Sequence, residues 1–209
     1  MPLDTWLTFL AASTALLLIP GPTVLLVLSY ALGHGRRVAV STAAGVALGD
    51  LIAMSASLAG LGALVLASAT VFSLLKWVGA VYLVWLGVKL ILSARTSDLT
   101  LPKTGDVTAR QTFRHAAAVT ALNPKSIAFF IAFVPQFVNP AAPLIAQFVI
   151  LIASFVTLAA LNALAYALLA DQLRARLTRP GLVAWLTRAG GMTLIGMGVV
   201  TAGLRRAAG

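Results

Sequence analysis

Residues 144–170 read LIAQFVILIASFVTLAALNALAYALLA, a run of 27 positions without one charged side chain. The hydrocarbon core of a bilayer is about 30 Å thick, and a helix rising about 1.5 Å per residue needs about 20 apolar residues to cross it. The run therefore predicts a membrane-spanning helix. An open strand would leave its amides unpaired in lipid, and the alternating pattern of a membrane barrel is missing.

Five more apolar runs accompany it, at 6–32, 38–66, 71–92, 113–134 and 182–204. Six spans nearly fill the 209 residues, so a single transmembrane domain over 1–209 is expected, with little chain left for a soluble one. Composition agrees: 60% of residues are hydrophobic and 10% charged, with mean hydropathy +1.00, against about 25% charged in soluble domains. The flank of the first run carries Asp4 rather than Lys or Arg, and the run exceeds the core of a signal peptide, so it reads as a span.

Cysteine is absent, which excludes disulfide scaffolds, thiol redox relays and cysteinyl metal sites. His34 and His115 are the only imidazoles and there is no Glu, so neither a metal nor a cofactor is expected. The net charge of +10 sits between apolar runs rather than on an aromatic-rich polar face. It reads as a topology signal, with lipid headgroups and no nucleic acid as partners.

The odd-numbered connections collect Arg36, Arg37, Lys89, Arg95, Lys103, Arg110, Arg114, Arg174, Arg176, Arg179 and Arg188, against Lys76, Arg205 and Arg206 on the other side. The positive-inside rule then puts both termini outside the cytoplasm, although Arg205 and Arg206 run against it. Trp6 and Trp77 mark the outer interface and Trp185 the inner one.

The stretch 96–111, with Ser97, Pro102 and Gly105, has linker composition and divides the chain into halves of about 1–95 and 112–209. The third span carries Gly79-Ala80, Leu83 and Gly87, and the sixth carries Gly190-Gly191, Leu194 and Gly198 at identical spacing. The first span is broken by Pro20-Gly21-Pro22 and the fourth by Asn123-Pro124. A repeat of three spans must return inverted in the membrane, so the expected fold is an all-α integral membrane protein of two inverted three-helix repeats, with broken first and fourth helices.

Costly groups converge on one depth. Pro22 lies midway along the first span, Asp50 about twelve residues into the second, and Asn123 to Lys125 midway along the fourth, with Asn162 of the fifth within reach. A carboxylate at the bilayer centre costs about 2.5–3.5 kcal/mol on insertion scales and almost always faces a cavity or a partner. Desolvation favours the neutral acid and a nearby cation the carboxylate, a balance suited to binding and releasing a proton or an ammonium. The bland alternative is a buried Asp50–Lys125 pair that only fixes two helices.

Each proline of Pro20-Gly21-Pro22 removes a backbone donor, and the glycine frees the chain. Such breaks are tolerated where backbone lines a cavity, and proline suits the first position of the half-helix that restarts there. The positive helix N-termini near Thr23 and Lys125 then suit a carboxylate, and Asp50 an α-ammonium or the proton exchanged for it. Lys125 either holds the carboxylate directly or pairs with Asp50 during the cycle. Other candidates are weaker. Gly45 and Gly49 have the small-xxx-small spacing of close helix approach. Gln136 either lines an exit or caps a loop, and Lys76 snorkels at a span end.

Together these residues resemble the LysE/RhtB family of amino-acid exporters. The blocks are Pro20-Gly21-Pro22, Gly45-x-x-x-Gly49-Asp50, Lys76-x-x-Gly79-Ala80-x-Tyr82-Leu83-x-x-x-Gly87, Asn123-Pro124-Lys125 and Phe133-x-Pro135-Gln136-Phe137, in order along nearly the whole chain. The resemblance implies a multi-pass protein of the bacterial inner (cytoplasmic) membrane. Its expected role is secondary active export of amino acids or close derivatives by proton antiport, and a homo-oligomer is compatible with it. Asp50 is the one clearly intramembrane acid, which favours neutral substrates over basic ones. An intramembrane enzyme is disfavoured, because the spans hold no nucleophile-base set and no paired acids. A non-transporting scaffold would have no cavity around Asp50.

Overall fold

The computed structural model describes residues 1–19, 22–93, 107–170 and 180–204; the side chains of residues 22, 125, 180, 182, 183, 186 and 200–204 lie outside that description. Among the described residues there are helices and no strands. They are α1 (Leu3–Leu17), α2 (Pro22–Ala67), α3 (Ala69–Ser93), α4 (Ala109–Ala121), α5 (Pro124–Phe133), α6 (Leu144–Leu168) and α7 (Pro180–Leu204), with a 3₁₀ turn at Val134–Phe137. Thr23–Ala67, Ala69–Ser93 and Leu144–Leu168 are long and apolar enough to cross a membrane. A fourth crossing arises if the pair Ala109–Ala121 and Ser126–Phe137, bent by 49°, is taken as one span. Large apolar side chains cover the outside, among them Leu66 at 83% and Ile145 at 80% exposure, a surface that water would not tolerate and lipid does.

At about 1.5 Å per residue α2 would extend to roughly 69 Å, more than twice a bilayer core. It is interrupted at Gly35, with φ 76° and ψ 179°, a conformation essentially confined to glycine. The interruption falls beside Arg36 and Arg37, where an interface was expected from charge. Lys103, Arg95, Arg174, Arg176, Arg179, Arg205 and Arg206 lie outside the described residues, as do Ser97, Pro102 and Gly105 of the expected linker.

The chain reaches α4 through a capping box. Thr108 accepts from the Gln111 amide and the Gln111 side chain accepts from the Thr108 amide, satisfying donors that a helix start leaves open. From there the two broken segments run antiparallel. Phe9, near the start of α1, packs on Phe133 and Phe137 with ring centroids 5.5 and 5.1 Å apart. At the other end Tyr30 of α2 meets His115 of α4, hydroxyl to Nδ1 at 3.2 Å. α6 runs parallel to α1: Trp6 Nε1 donates to Ser154 Oγ at 2.9 Å, and Asn162 reaches Leu17.

Small residues set the closest crossings. A Cβ on Gly87 of α3 would lie 2.5 Å from the Gly191 carbonyl oxygen of α7, and one on Gly198 would lie 2.7 Å from the Ala80 carbonyl oxygen. Gly79 faces the Ala132 backbone of α5, whereas Gly190 faces Ile19 and Ala15 at the end of α1. Gly45 and Gly49 admit α4, against the Phe113 carbonyl and against Thr120 and the Ala117 carbonyl respectively. The core has two compositions. Phe9, Phe129, Phe130, Phe133, Phe137 and Phe155 fill one end, and small side chains such as Ala39, Ala43, Ala116, Ala163 and Ala167 fill the other.

Candidate functional site

At the first break the three carbonyls that close α1 are accounted for. Proline at 20 and 22 lacks the amides that would have met the Leu16 and Leu18 carbonyls, and α1 ends at Leu17, so the Leu17 carbonyl too needs a partner from outside the helix. Each of these carbonyls has found another donor. Leu16 O accepts from the Ile19 amide at 3.1 Å. Leu17 O accepts from Asn162 Nδ2 at 2.9 Å, and Leu18 O from the Tyr166 hydroxyl at 3.2 Å. Unpaired carbonyls in a dry interior would each cost about 1–3 kcal/mol, so α6 is what makes the break tenable. Asn162 and Tyr166 lie four apart, on one face of α6.

The second break is shorter. α4 ends at Ala121, the Asn123 amide reaches back to Thr120 O at 3.3 Å, and α5 starts on Pro124, with the Ile127 amide closing its first turn on Asn123 O at 3.1 Å. Both new half-helices thus begin on proline, at Pro22 and Pro124, and their first amides have no intrahelical acceptor.

Between the breaks lies a cavity of about 170 Å³. Its polar lining is Thr23 of α2, Asp50 of α2, Asn123 and Ser126 at the start of α5, and Asn162 of α6; Phe129, Phe130 and Phe155 are part of its apolar wall. Pockets for drug-sized ligands run to about 300–1,000 Å³, so the space suits a small occupant. Asp50 is 8% exposed. No hydrogen-bond or ion-pair partner for its carboxylate occurs among the described residues, and none of them forms a group that could hold a metal ion.

The structure brings Thr23, Asp50, Asn123 and Asn162 to one space, and Pro22 and Pro124 begin the half-helices that face it. Pro20 and Gly21 lie outside the described residues, as does the Lys125 side chain. Three weaker candidates are elsewhere. Gly49 lies under α4. Gln136 Nε2 donates to the Lys76 and Ala132 carbonyls at 3.1 and 3.0 Å, and Lys76 Nζ donates to Val138 O at 3.3 Å while sitting 5.2 Å from the Phe72 ring centroid. Gln136 and Lys76 therefore clasp α3 to the turn after α5. Ser126 and Tyr166 were not singled out from the sequence. Ser126 follows a helix-restarting proline by two residues, and a tyrosine inside an apolar span needs a partner for its hydroxyl; both signals were available.

A membrane bundle, helical throughout its described residues, whose interrupted helices surround a cavity lined by an acid with no partner among those residues, has the build of a membrane carrier. The chain belongs to the LysE type translocator family, which it matches over residues 14–203. It is 35% identical over 208 residues to a homoserine/homoserine lactone efflux protein of Salmonella typhimurium, covering 99% of this chain and 100% of that one. An uncharacterized membrane protein of Vibrio cholerae is 32% identical over 207 residues, 97% of this chain and 98% of that one. A leucine efflux protein of Klebsiella pneumoniae is 31% identical over 147 residues, 69% of each chain. No solved structure matches. The protein is thus a multi-pass bacterial membrane translocator and not an enzyme.

Proposed function

We propose that this translocator exports small neutral amino acids or close derivatives from the cytoplasm, across the bacterial inner membrane, in exchange for protons. The observation that carries the reading is the shared cavity: both helix breaks, Asp50 and Asn162 open on one space. The amides of the half-helices starting at Pro22 and Pro124 suit the substrate carboxylate, with Lys125 beside them. Asp50 suits the α-ammonium or, once the substrate has left, a proton. With one acid in the described lining and phenylalanines opposite, a basic side chain would find no counter-charge and an aliphatic one would find apolar wall. The relatives' names, homoserine and leucine efflux, support the same substrate class.

The carrier reading includes six spans in two inverted halves, 1–95 and 112–209, joined by 96–111. α1 with residues 22–34 forms the first span, 36–67 the second, α3 the third, α4 with α5 the fourth, α6 the fifth and α7 the sixth. The glycine crossings support it. Residues 79, 80 and 87 correspond to 190, 191 and 198, each 111 positions on. The Gly87–Gly191 contact then exchanges with Gly198–Ala80, and the approach of Gly79 to the fourth span exchanges with that of Gly190 to the first. A two-fold axis in the membrane plane produces such exchanges. The packed rings of Phe9, Phe129, Phe133 and Phe137 separate the cavity from the face on which α1 begins, so these rings part for release.

The test is export itself. Cells overproducing the chain, loaded with individual radiolabelled amino acids, should expel homoserine or aliphatic neutral amino acids faster than control cells, and faster with an inward proton gradient. Efflux equal to controls for every amino acid sinks the reading, and efflux indifferent to the gradient sinks the antiport part. Pro124→Ala restores an amide at the second break and straightens it. We expect it to slow turnover several-fold, by roughly 1 kcal/mol in barrier, with little loss of protein on a membrane immunoblot. Loss of protein alone would mark Pro124 as a simple kink.

A further inference from the structure

We propose that Asn162 determines substrate specificity by accepting a hydrogen bond from the substrate ammonium through its amide oxygen, beside Asp50. This deepens the export reading above and rests on it.

A carboxamide has a donor end and an acceptor end. The Leu17 carbonyl can only accept, so the nitrogen end of Asn162 must face it, at 2.9 Å. That contact fixes which way the amide is turned. The oxygen end is therefore turned away from the break. No described residue donates to it, and it is not among the buried polar atoms sealed without a partner, which are Ser13 Oγ, Thr120 Oγ1 and Gln136 Oε1. It is an open acceptor on a residue that lines the cavity.

The amide is also held. Tyr166, one turn on, fastens the same face of α6 to Leu18 O at 3.2 Å, and Trp6 fastens the far end of α1 to Ser154 at 2.9 Å. Turning the amide over would set its oxygen against the Leu17 carbonyl and strand that carbonyl without a donor, so the backbone break itself keeps the acceptor aimed inward.

An alkylammonium offers three donors. Asp50 from α2 and Asn162 from α6 supply a charged and a neutral acceptor for it, with a single negative charge between them. A neutral amino acid matches that inventory. A substrate without a cationic amine would leave two acceptors unpaired in a desolvated space and be rejected on that account.

The purified full-length chain in proteoliposomes tests this with two pairs of probes, L-homoserine with its lactone and L-leucine with its amide. Lactone and amide keep the ammonium but lack the free carboxylate. Asn162→Ala should raise the half-saturating concentration of amino acid and carboxylate-free analogue by the same factor, about tenfold, as expected for a charge-assisted hydrogen bond. Tyr166→Phe removes the neighbouring cap on the same break from outside the cavity lining. It should lower the maximal rate while leaving half-saturation within about twofold, since it takes no binding contact from the substrate. If Asn162→Ala leaves too little protein, Asn162→Ser, too short to reach both Leu17 O and the ammonium, reads the same shift. Unchanged half-saturation, or an equal shift in Asn162 and Tyr166 variants, makes Asn162 a helix cap only and overturns the proposal. Wild-type protein that moves none of the four probes overturns the export reading, and this inference with it.

Discussion

Asp50→Asn leaves the protein in the membrane and lowers efflux at least about a hundredfold, the lower range for losing a group that transfers a proton. The substitution is nearly isosteric and removes only the charge and the titrating proton. Asp50 is buried at 8% exposure, and no described residue pairs with it, so no cation among those residues is stranded by the change. Folding should therefore survive, and detergent-solubilised variant should elute as the wild type does. Because one group is proposed to serve ammonium and proton in turn, substrate counterflow and gradient-driven transport should fail together. Retained counterflow with lost gradient coupling would restrict Asp50 to the proton. Unimpaired efflux would remove it from the site, and loss of protein with no loss of specific activity would make it a fold element.

Gly87→Val should cost the protein its folded state, with Gly191→Val equally severe. A Cβ on Gly87 would lie 2.5 Å from the Gly191 carbonyl oxygen and 2.7 Å from Ile195 Cγ1, and one on Gly191 would lie 2.6 Å from the Gly87 carbonyl oxygen. The nearest atom met in each case is a backbone oxygen in the middle of a helix, so relief requires α3 and α7 to move apart along their whole contact. Overpacking typically costs about 1–3 kcal/mol, and two branched methyl groups at a backbone crossing belong at the top of that range. Gly196 is the control, since a Cβ there meets nothing within 4 Å; Gly196→Val should retain wild-type thermal stability in detergent. Gly198→Val, facing the Ala80 carbonyl at 2.7 Å, should resemble Gly87→Val if the halves are related as proposed. Equal stability of the Gly87 and Gly196 variants would refute the crossing.

Membrane class, helical build, the places where helices restart and the residues that let helices touch were all written in the sequence. Each is a property of chain position: apolar run length sets spanning, proline fixes where amides are missing, and glycine spacing marks a close approach. Depth follows the same logic, because each helical residue advances a fixed distance, and that is how Asp50, Asn123 and Asn162 could be placed near one level before any contact was known. Facing does not follow. Which side of a helix meets a neighbour depends on how the other helices pack around it, and only the tertiary structure decided that Gln136 and Lys76 clasp α3 to the turn after α5, that Tyr166 caps a carbonyl freed by Pro22, 144 residues earlier in the sequence, and that the Asn162 amide has one end committed to Leu17 and the other open to the cavity.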